Sequence, residues 1–197
     1  MSQRIPKIIH QIWLGNEPMP DLVQIYRQTW KDKHPNWRFM LWTDDNIFSL
    51  YNQSAYQKLT DVRQKADLLR YEILYRYGGV YVDIDMECFQ NIEPLIEGEE
   101  FFVGTEDDFY YSNELMGCLP HHELMKELVE GIESSLQNGE NQTIDEQTGP
   151  IYITKYLRWM PEVTVLEQNQ LFPTAQDFVE PHQLIYTRHH AKVFKNA

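Results

Sequence analysis

The chain alternates between short apolar runs typical of strands and longer runs with helical spacing. Residues 5–14 form an apolar, β-prone run that Gly15 ends, and residues 37–43 alternate as a second strand. Between them, apolar residues recur at the three- and four-residue spacing of one helical face: Leu22, Ile25, Tyr26 and Trp30. The pattern therefore predicts a strand, a helix that begins at Pro20-Asp21, and a second strand.

A second helical run follows and leads into a group of carboxylates. Thr60 is predicted to cap its N-terminus, and Gly78 is predicted to end it. The buried stripe of this helix is predicted to consist of Val62, Ala66, Leu69, Ile73 and Tyr77. Residues 80–86 then read as an apolar strand that carries Asp83 and Asp85 near its end.

The second half of the chain predicts further strands at 101–105, 163–166 and 184–187. Helices are predicted at 121–136 and 150–160, with a loop at 139–142. In the first half, strands and helices alternate, which predicts an α/β sheet with parallel strands. Ligands of such sheets bind at the carboxyl ends of the strands. A length of 197 residues favours a single domain over residues 1–197.

The charge and the cysteines exclude several classes of function. The net charge of −13 argues against nucleic acid as a partner, because nucleic-acid binding needs cationic side chains that neutralise phosphates. A nucleotide ligand is still allowed, since a bound cation can invert the local field. The sequence shows neither an 18-residue apolar run nor a signal peptide. Cys88 and Cys118 form no CxxC pair, so neither a disulfide framework nor a zinc site is expected. The expected location is the cytoplasm, with peripheral membrane association left open.

Asp83 and Asp85 are the first candidates for chemistry. Side chains two residues apart in a strand point to the same side, so the two carboxylates would share one face. Hard oxygen ligands at this density suit Mg²⁺ or Mn²⁺. The alternative is two solvated acids that close a strand. Residues 44–46 (Asp-Asp-Asn) end another predicted strand and could face the same crevice.

Three further candidates each have two readings. Asp67 and Arg70 lie three residues apart on one helix, where they form a local ion pair worth about 0.2–0.5 kcal/mol or contact a sugar and a phosphate. His189, followed by His190, either completes a metal shell or belongs to a polar tail. Trp13 either stacks on a nucleobase, for about 1–3 kcal/mol, or fills the core.

Taken together, these stretches resemble a known family. Residues 5–15 (IPKIIHQIWLG) resemble the opening motif of the DXD glycosyltransferases of family 32. Residues 66–71 (ADLLRY) and 77–85 (YGGVYVDID) resemble its central signature, and Thr148-Gly149-Pro150 and the two histidines are similar to its later motifs. The family includes fungal α-mannosyltransferases, bacterial capsule and polysaccharide transferases, and relatives of the large glucosylating toxins.

The resemblance implies a GT-A fold, with a single Rossmann-like mixed sheet flanked by helices. It implies a nucleotide-sugar donor, Mn²⁺ or Mg²⁺ as cofactor, and transfer that retains the configuration at the anomeric carbon. UDP-sugars are favoured because the toxin relatives use them, and GDP-mannose remains open. The implied acceptor is a glycan or a lipid-linked hydroxyl, in polysaccharide or glycan synthesis.

The resemblance also implies a role for each matched residue. Trp13 would stack on the base, Asp67 and Arg70 would hold the donor sugar, and Tyr81 and Asp83 would contact ribose, sugar or phosphate. Asp85 would bind the metal directly, with Asp83 and His189 as further ligands. Asp107, Asn113 and Glu114 lie on a segment that could face the acceptor.

Two rival functions remain. Family members often carry Ser-Trp after the two histidines, whereas this chain has Ala191-Lys192, which leaves open a pseudoenzyme that binds a nucleotide sugar without transfer. A metal-dependent phosphohydrolase is the second rival, because the DxD pattern also occurs in phosphatases that use an aspartate nucleophile. In those enzymes a Thr usually follows two residues after the second Asp, and here that place is Glu87.

Overall fold

The computed structural model describes residues 4–105, 109–138, 142–173 and 184–190. Its strands are β1 (Ile8–Ile12), β2 (Arg38–Trp42), β3 (Gly79–Val82), β4 (Met86–Cys88), β5 (Phe101–Thr105), β6 (Tyr111–Cys118), β7 (Thr164–Leu166) and β8 (Thr187–His189). Its helices are α1 (Asp21–Lys33), α2 (Gln53–Lys58), α3 (Val62–Tyr77), α4 (Glu93–Ile96), α5 (Glu123–Gln137), α6 (Ile144–Gln147), α7 (Pro150–Leu157) and α8 (Gln168–Leu171).

Six strands form one mixed sheet in the order β2-β1-β3-β6-β5-β7. β1 runs parallel to both β2 and β3, as the alternation of strands and helices predicts. β6 is inserted antiparallel between β3 and β5, and it was not predicted from the sequence pattern. The parallel pairing expected from the first half of the chain is therefore confirmed for β1, β2 and β3, and the mixed sheet implied by the family resemblance is also confirmed.

The predicted strand at 80–86 is two strands. β3 ends at Val82 in the large sheet, and β4 begins at Met86 in a separate two-stranded sheet with β8. In that small sheet Met86 pairs with His189. The predicted strand at 184–187 likewise begins later, at Thr187. Of the predicted loop at 139–142, residues 139–141 lie outside the described part of the chain.

Helix α1 buries a different face from the predicted one. Tyr26 and Trp30 are buried as predicted, but Leu22 and Ile25 are 44% and 57% exposed. Val23 is buried in their place. The indole N–H of Trp30 donates to the carbonyl of Met86 at 2.8 Å, so this helix packs on the segment that follows the DxD carboxylates.

Helix α3 is buried along its middle on nearly all sides. Asp61, not Thr60, is its N-cap, and its side chain accepts from the backbone N–H of Arg63. Gly78 ends the helix at a φ of 61°, as predicted. At the next glycine a Cβ would lie 2.7 Å from the carbonyl oxygen of Ile8, so the backbone of β1 requires glycine at that position. Val62 and Tyr77, the two end residues of the stripe predicted to be buried, are exposed.

The sheet carries an apolar layer on each face. Tyr81 and Met116 belong to the layer beneath α3, α5 and α7, whereas their neighbours Val80 and Leu115 belong to the layer beneath α1. This alternation follows the two-residue period of strands. The predicted helices at 121–136 and 150–160 are confirmed as α5 and α7. Among the described residues, no helix is long and apolar enough to cross a membrane.

His10 in β1 is a satisfied core histidine. Its Nδ1 accepts from the indole N–H of Trp42 at 3.1 Å, and its Nε2 lies 2.9 Å from the carbonyl of Gly78. These partners fix the neutral tautomer that carries its proton on Nε2. Burial lowers the pKa of His10 to about 4.

Candidate functional site

The two DxD carboxylates lie in the turn between β3 and β4. Asp83 directly follows the last residue of β3, and Asp85 lies in a turn. The interpretation that both point from one strand is therefore wrong, because the strand ends before the first of them. The backbone N–H of Asp83 donates to the carbonyl of Glu114 at 2.8 Å, which joins the turn to β6.

Arg70 is the centre of the site. It is buried, and its Nη2 lies 3.2 Å from Oδ1 of Asp67 while its Nη1 lies 3.2 Å from Oδ1 of Asp83. Nη1 also donates to the carbonyl of Asn113 at 2.7 Å. Burial alone lowers the pKa of Arg70, but the nearby Asp83, Tyr81 and Asp67 outweigh it and raise the pKa above its ordinary value. Arg70 therefore forms more than a local helical pair, because it joins α3, β3 and β6.

The buried carboxylate of Asp67 accepts hydrogen bonds from two neighbouring side chains. Oδ1 accepts from Nδ2 of Asn113 and Oδ2 accepts from Oγ1 of Thr148, both at 2.9 Å. Burial raises its pKa to about 6, although Arg70 and the two hydrogen bonds oppose that rise. The hydroxyl of Tyr71 accepts from the same amide of Asn113 and donates to the carbonyl of Thr148.

Tyr81 contacts two charged side chains, those of Asp83 and Arg70. Its hydroxyl donates to Oδ1 of Asp83 at 2.6 Å, and its ring lies 4.4 Å from the guanidinium carbon of Arg70. Burial raises the pKa of Asp83, and Arg70 opposes that rise. The structure therefore brings together Asp67, Arg70, Tyr81 and Asp83, as the sequence analysis expects.

A second cluster adjoins the first. One ligand atom from each of Asp83, Glu114 and His189 lies within 4.8 Å of the others. Nδ1 of His189 lies 2.9 Å from Oε2 of Glu114, and its Nε2 lies 3.4 Å from Oδ1 of Asp85. Burial lowers the pKa of His189, but the two carboxylates outweigh it and raise the pKa to about 11.

This cluster has the donor set of a divalent-metal site. Carboxylate oxygens with one imidazole suit Mn²⁺ or Mg²⁺, and in the protein alone a protonated imidazole compensates the carboxylates. Glu114, predicted for the acceptor side, lies inside the three-residue cluster. Asp85, predicted as the direct metal ligand, lies on the Nε2 side of the His189 ring, with its Oδ1 3.4 Å from that nitrogen.

His190 packs against the turn that carries Asp83 and Asp85. Its ring stacks on Tyr26 at 4.4 Å, and its Nε2 lies 3.0 Å from Oε2 of Glu87. Its backbone N–H donates to the carbonyl of Asp85 at 3.1 Å. The sequence pattern left this residue without a role, and the structure gives it contacts that fix the position of Asp85.

Trp13 lies just past the end of β1 and is half-buried. Its indole N–H donates to the carbonyl of Glu17 at 2.9 Å, and Oδ2 of Asp44, after β2, accepts from the N–H of Gly15 at 2.7 Å. Because β2, β1 and β3 are parallel neighbours, these residues lie at the same edge of the sheet as Asp83. Trp13 is therefore placed beside the site and outside the two buried apolar layers.

Sequence reasoning missed one site residue and could not reach others. Thr148 was matched to a later family motif without a role of its own, and the hydrogen bond from its hydroxyl to Asp67 could not be predicted from that motif. Asp107 and residues 191–194 lie outside the described part of the chain.

Comparison with known proteins agrees with this geometry. Residues 20–102 match the family model described as the glycosyltransferase sugar-binding region containing the DXD motif. The chain belongs to the DXD glycosyltransferases. The match covers α3, the double glycine and the Asp83–Asp85 turn, which are the parts that position Arg70.

The chain has curated relatives in fungi. It is 34% identical to inositol phosphoceramide mannosyltransferase 2 of Schizosaccharomyces pombe, over 80% of this chain and 48% of that protein. It is 32% identical to mannosyl phosphorylinositol ceramide synthase CSH1 of Saccharomyces cerevisiae, over 80% of this chain and 44% of that protein. The chain therefore matches about half the length of these relatives.

Solved structures confirm the GT-A fold. The PaToxG glycosyltransferase matches with a TM-score of 0.65 at 17% identity. The alignment covers 80% of this chain and 70% of that chain. The UDP-bound glycosyltransferase domain of the YGT toxin has a TM-score of 0.63 at 10% identity, with 83% and 80% covered. At these identities the likeness shows the fold alone.

Proposed function

We propose that the protein is a metal-dependent, retaining hexosyltransferase that moves a sugar from a nucleoside-diphosphate donor to a hydroxyl acceptor. One observation carries this proposal. Arg70 bridges Asp67 and Asp83 at the end of β3, directly beside the cluster of Asp83, Glu114 and His189. This arrangement offers a carboxylate for the sugar, a fixed cation, and a metal site for the diphosphate.

The chain's own residues would hold the donor. Trp13 would stack on the base at the end of β1. Asp67 would accept from hydroxyls of the sugar, and its position is fixed by Asn113 and Thr148. Arg70 would add positive potential near the departing diphosphate, since a buried cation acts strongly in a water-poor site.

Asp83, Glu114 and His189 would hold Mn²⁺ or Mg²⁺, with Asp85 completing the set. When bound, the ion would neutralise negative charge that builds on the leaving diphosphate. Among the described residues, every carboxylate at this centre is already engaged by Arg70, Asn113, Thr148 or His189. We therefore propose return of the acceptor hydroxyl on the face the diphosphate leaves, without a covalent sugar–enzyme intermediate.

The donor and acceptor are proposed from the relatives. Both fungal names describe mannosyl transfer, which favours mannose, while a structural neighbour is bound to UDP. We therefore propose a hexose on UDP or GDP. Because both names also specify a phosphoinositol ceramide, we propose a phosphate-bearing lipid headgroup as the acceptor.

The test is nucleoside-diphosphate release from a panel of UDP- and GDP-sugars, with Mn²⁺ or with chelator. We expect release from one donor only with metal, and loss of release in Asp85→Ala with the fold intact by circular dichroism. The exposed acid Glu123 provides a charge-matched control as Glu123→Gln. Nucleotide binding without release from any donor would contradict transfer and support the pseudoenzyme. Phosphate release from simple phosphoesters would support the phosphohydrolase.

A further inference from the structure

A groove lies beside the site, between the start of β6 and the outer face of α7. Its volume is about 290 Å³, and it is lined by Tyr110, Ile151, Thr154, Lys155, Arg158 and Trp159. We propose that this groove, the Trp159 groove, is the acceptor subsite and binds the phosphate-bearing headgroup of the acceptor. This inference rests on the proposed function, because it deepens the acceptor side of the same reaction.

Two elements run from the donor site to the groove. Helix α7 follows Thr148, whose hydroxyl donates to Asp67, and reaches the groove one to two turns later. Strand β6 carries Asn113 at the site and begins at Tyr111, whose N–H donates to Oγ1 of Thr154 at 2.8 Å. From its first residue, Pro150, to Thr154 the helix rises about 6 Å, and from Asn113 to Tyr111 the strand spans about 7 Å. The groove is therefore a short distance from the proposed sugar position.

The groove offers exposed aromatic surface. Trp159 is 85% exposed, just after the end of α7, and Tyr110 is 44% exposed across the groove. An exposed tryptophan at the rim of a concave surface is typical of a binding site, because it presents a flat apolar face and a donor together. Such a face suits the ring of a sugar or of a cyclic polyol.

The groove carries positively charged side chains, although the net charge of the whole chain is negative. Lys155 and Arg158 are exposed on the outer face of α7 in a protein of net charge −13. Within the part of the chain that the structure describes, neither residue has a carboxylate in ion-pair distance. A planar guanidinium beside an ammonium suits a phosphate, whose oxygens accept from both. The occupant that matches ring and charge together is therefore a phosphorylated polyol.

The test measures binding directly, so that it does not depend on turnover. The full chain is sedimented with vesicles of phosphatidylcholine alone, or with 20 mol% (roughly one lipid in five) of phosphatidylinositol or of phosphatidylserine. We expect binding to the phosphatidylinositol vesicles at least 10-fold above the other two. We also expect soluble inositol 1-phosphate to compete, which would assign recognition to the headgroup and not to the bilayer.

Matched variants locate the binding. The double variant Lys155→Gln/Arg158→Gln and the single variant Trp159→Ala should each lose at least 10-fold of the binding. Lys31→Gln on α1 and Tyr51→Ala, which remove an exposed charge and an exposed ring elsewhere, should stay within twofold of the unmodified chain. All of these side chains are exposed, so the variants should fold.

The outcomes separate the two proposals. Equal binding to phosphatidylserine, no binding to phosphatidylinositol, or full binding by the groove variants would each overturn the acceptor subsite. Slow release of nucleoside diphosphate by transfer of the sugar to water, measured without lipid in the same preparations, should stay within twofold in Lys31→Gln and Tyr51→Ala. Absence of that release in the unmodified chain would count against the proposed function and leave the binding result standing.

Discussion

Arg70 and Asp83 join helix α3 to the end of strand β3, with Nη1 and Oδ1 3.2 Å apart. Because Arg70 is buried and also contacts Asp67, it compensates two carboxylates at once. A residue at this position therefore affects both the stability of the fold and the electrostatics of the proposed donor site.

Replacing Arg70 by leucine should destabilise the protein by about 3–5 kcal/mol, because the buried carboxylates lose their cation. Arg63 on the same helix provides the control, since its pair with Asp61 is exposed and Arg63→Leu should cost about 0–1 kcal/mol. Urea unfolding of both variants measures the difference. If the two variants lose the same stability, Arg70 does not hold α3 against β3.

Glu114→Gln should weaken Mn²⁺ binding at least 10-fold, because it removes a charged ligand from the cluster of Asp83, Glu114 and His189. Titration of Mn²⁺ followed by electron paramagnetic resonance measures the affinity, with Glu123→Gln as a control for net charge. An unchanged affinity would place Glu114 on the acceptor side, as the sequence analysis expects, and leave Asp85 as the principal ligand.

Trp13→Ala should weaken UDP or GDP binding by about 1–3 kcal/mol through loss of stacking. The melting temperature should change little, because this half-buried side chain lies outside the two apolar layers. Trp42→Ala is the contrasting variant. It removes a buried ring bonded to His10 and should cost about 3–5 kcal/mol of stability. A large fall in the melting temperature of Trp13→Ala would assign Trp13 to the core.

His10 should make the fold sensitive to acid. The folded state keeps His10 neutral down to a pKa of about 4, whereas the unfolded chain takes up the proton near pH 6.5. The free energy of unfolding should therefore fall as the pH drops from 6.5 to 4, by at most about 1.4 kcal/mol per pH unit from this residue. The difference in stability between the unmodified chain and His10→Gln, measured across that range, isolates the contribution. A difference that does not vary with pH would refute it.

The sequence predicted which residues lie together at the candidate site better than it predicted the sheet. Asp67, Arg70 and Asp83 could be selected because α3, the double glycine and β3 follow one another without interruption. β6 could not be predicted, because its apolar pattern is interrupted by the polar residues Asn113, which is buried, and Glu114, which is half-buried. Those polar positions reflect the site itself, since Asn113 bonds Asp67 and Glu114 contacts His189.

Other differences also have local physical causes. Leu22 and Ile25 have helical spacing but face away from β4, so periodicity identified the helix and misplaced its buried face. The stripe assigned to α3 failed at both ends because burial is confined to the middle of the helix, which also buries Asp67, Arg70 and Glu72. Periodicity predicted this helix but not which of its polar side chains are buried, because buried polar residues do not follow the apolar pattern.

The pairing of β4 with β8 sets the order in which the site can form during synthesis. Glu87 and His190, which this pairing brings together, are 103 residues apart in the chain. Asp83 and Asp85 are therefore synthesised long before His189, whose imidazole contacts Asp85 and Glu114. Loop closure must join the two ends of that interval. A nascent chain that stops before Thr187 contains the six strands of the large sheet but lacks His189, so the cluster of Asp83, Glu114 and His189 is completed last.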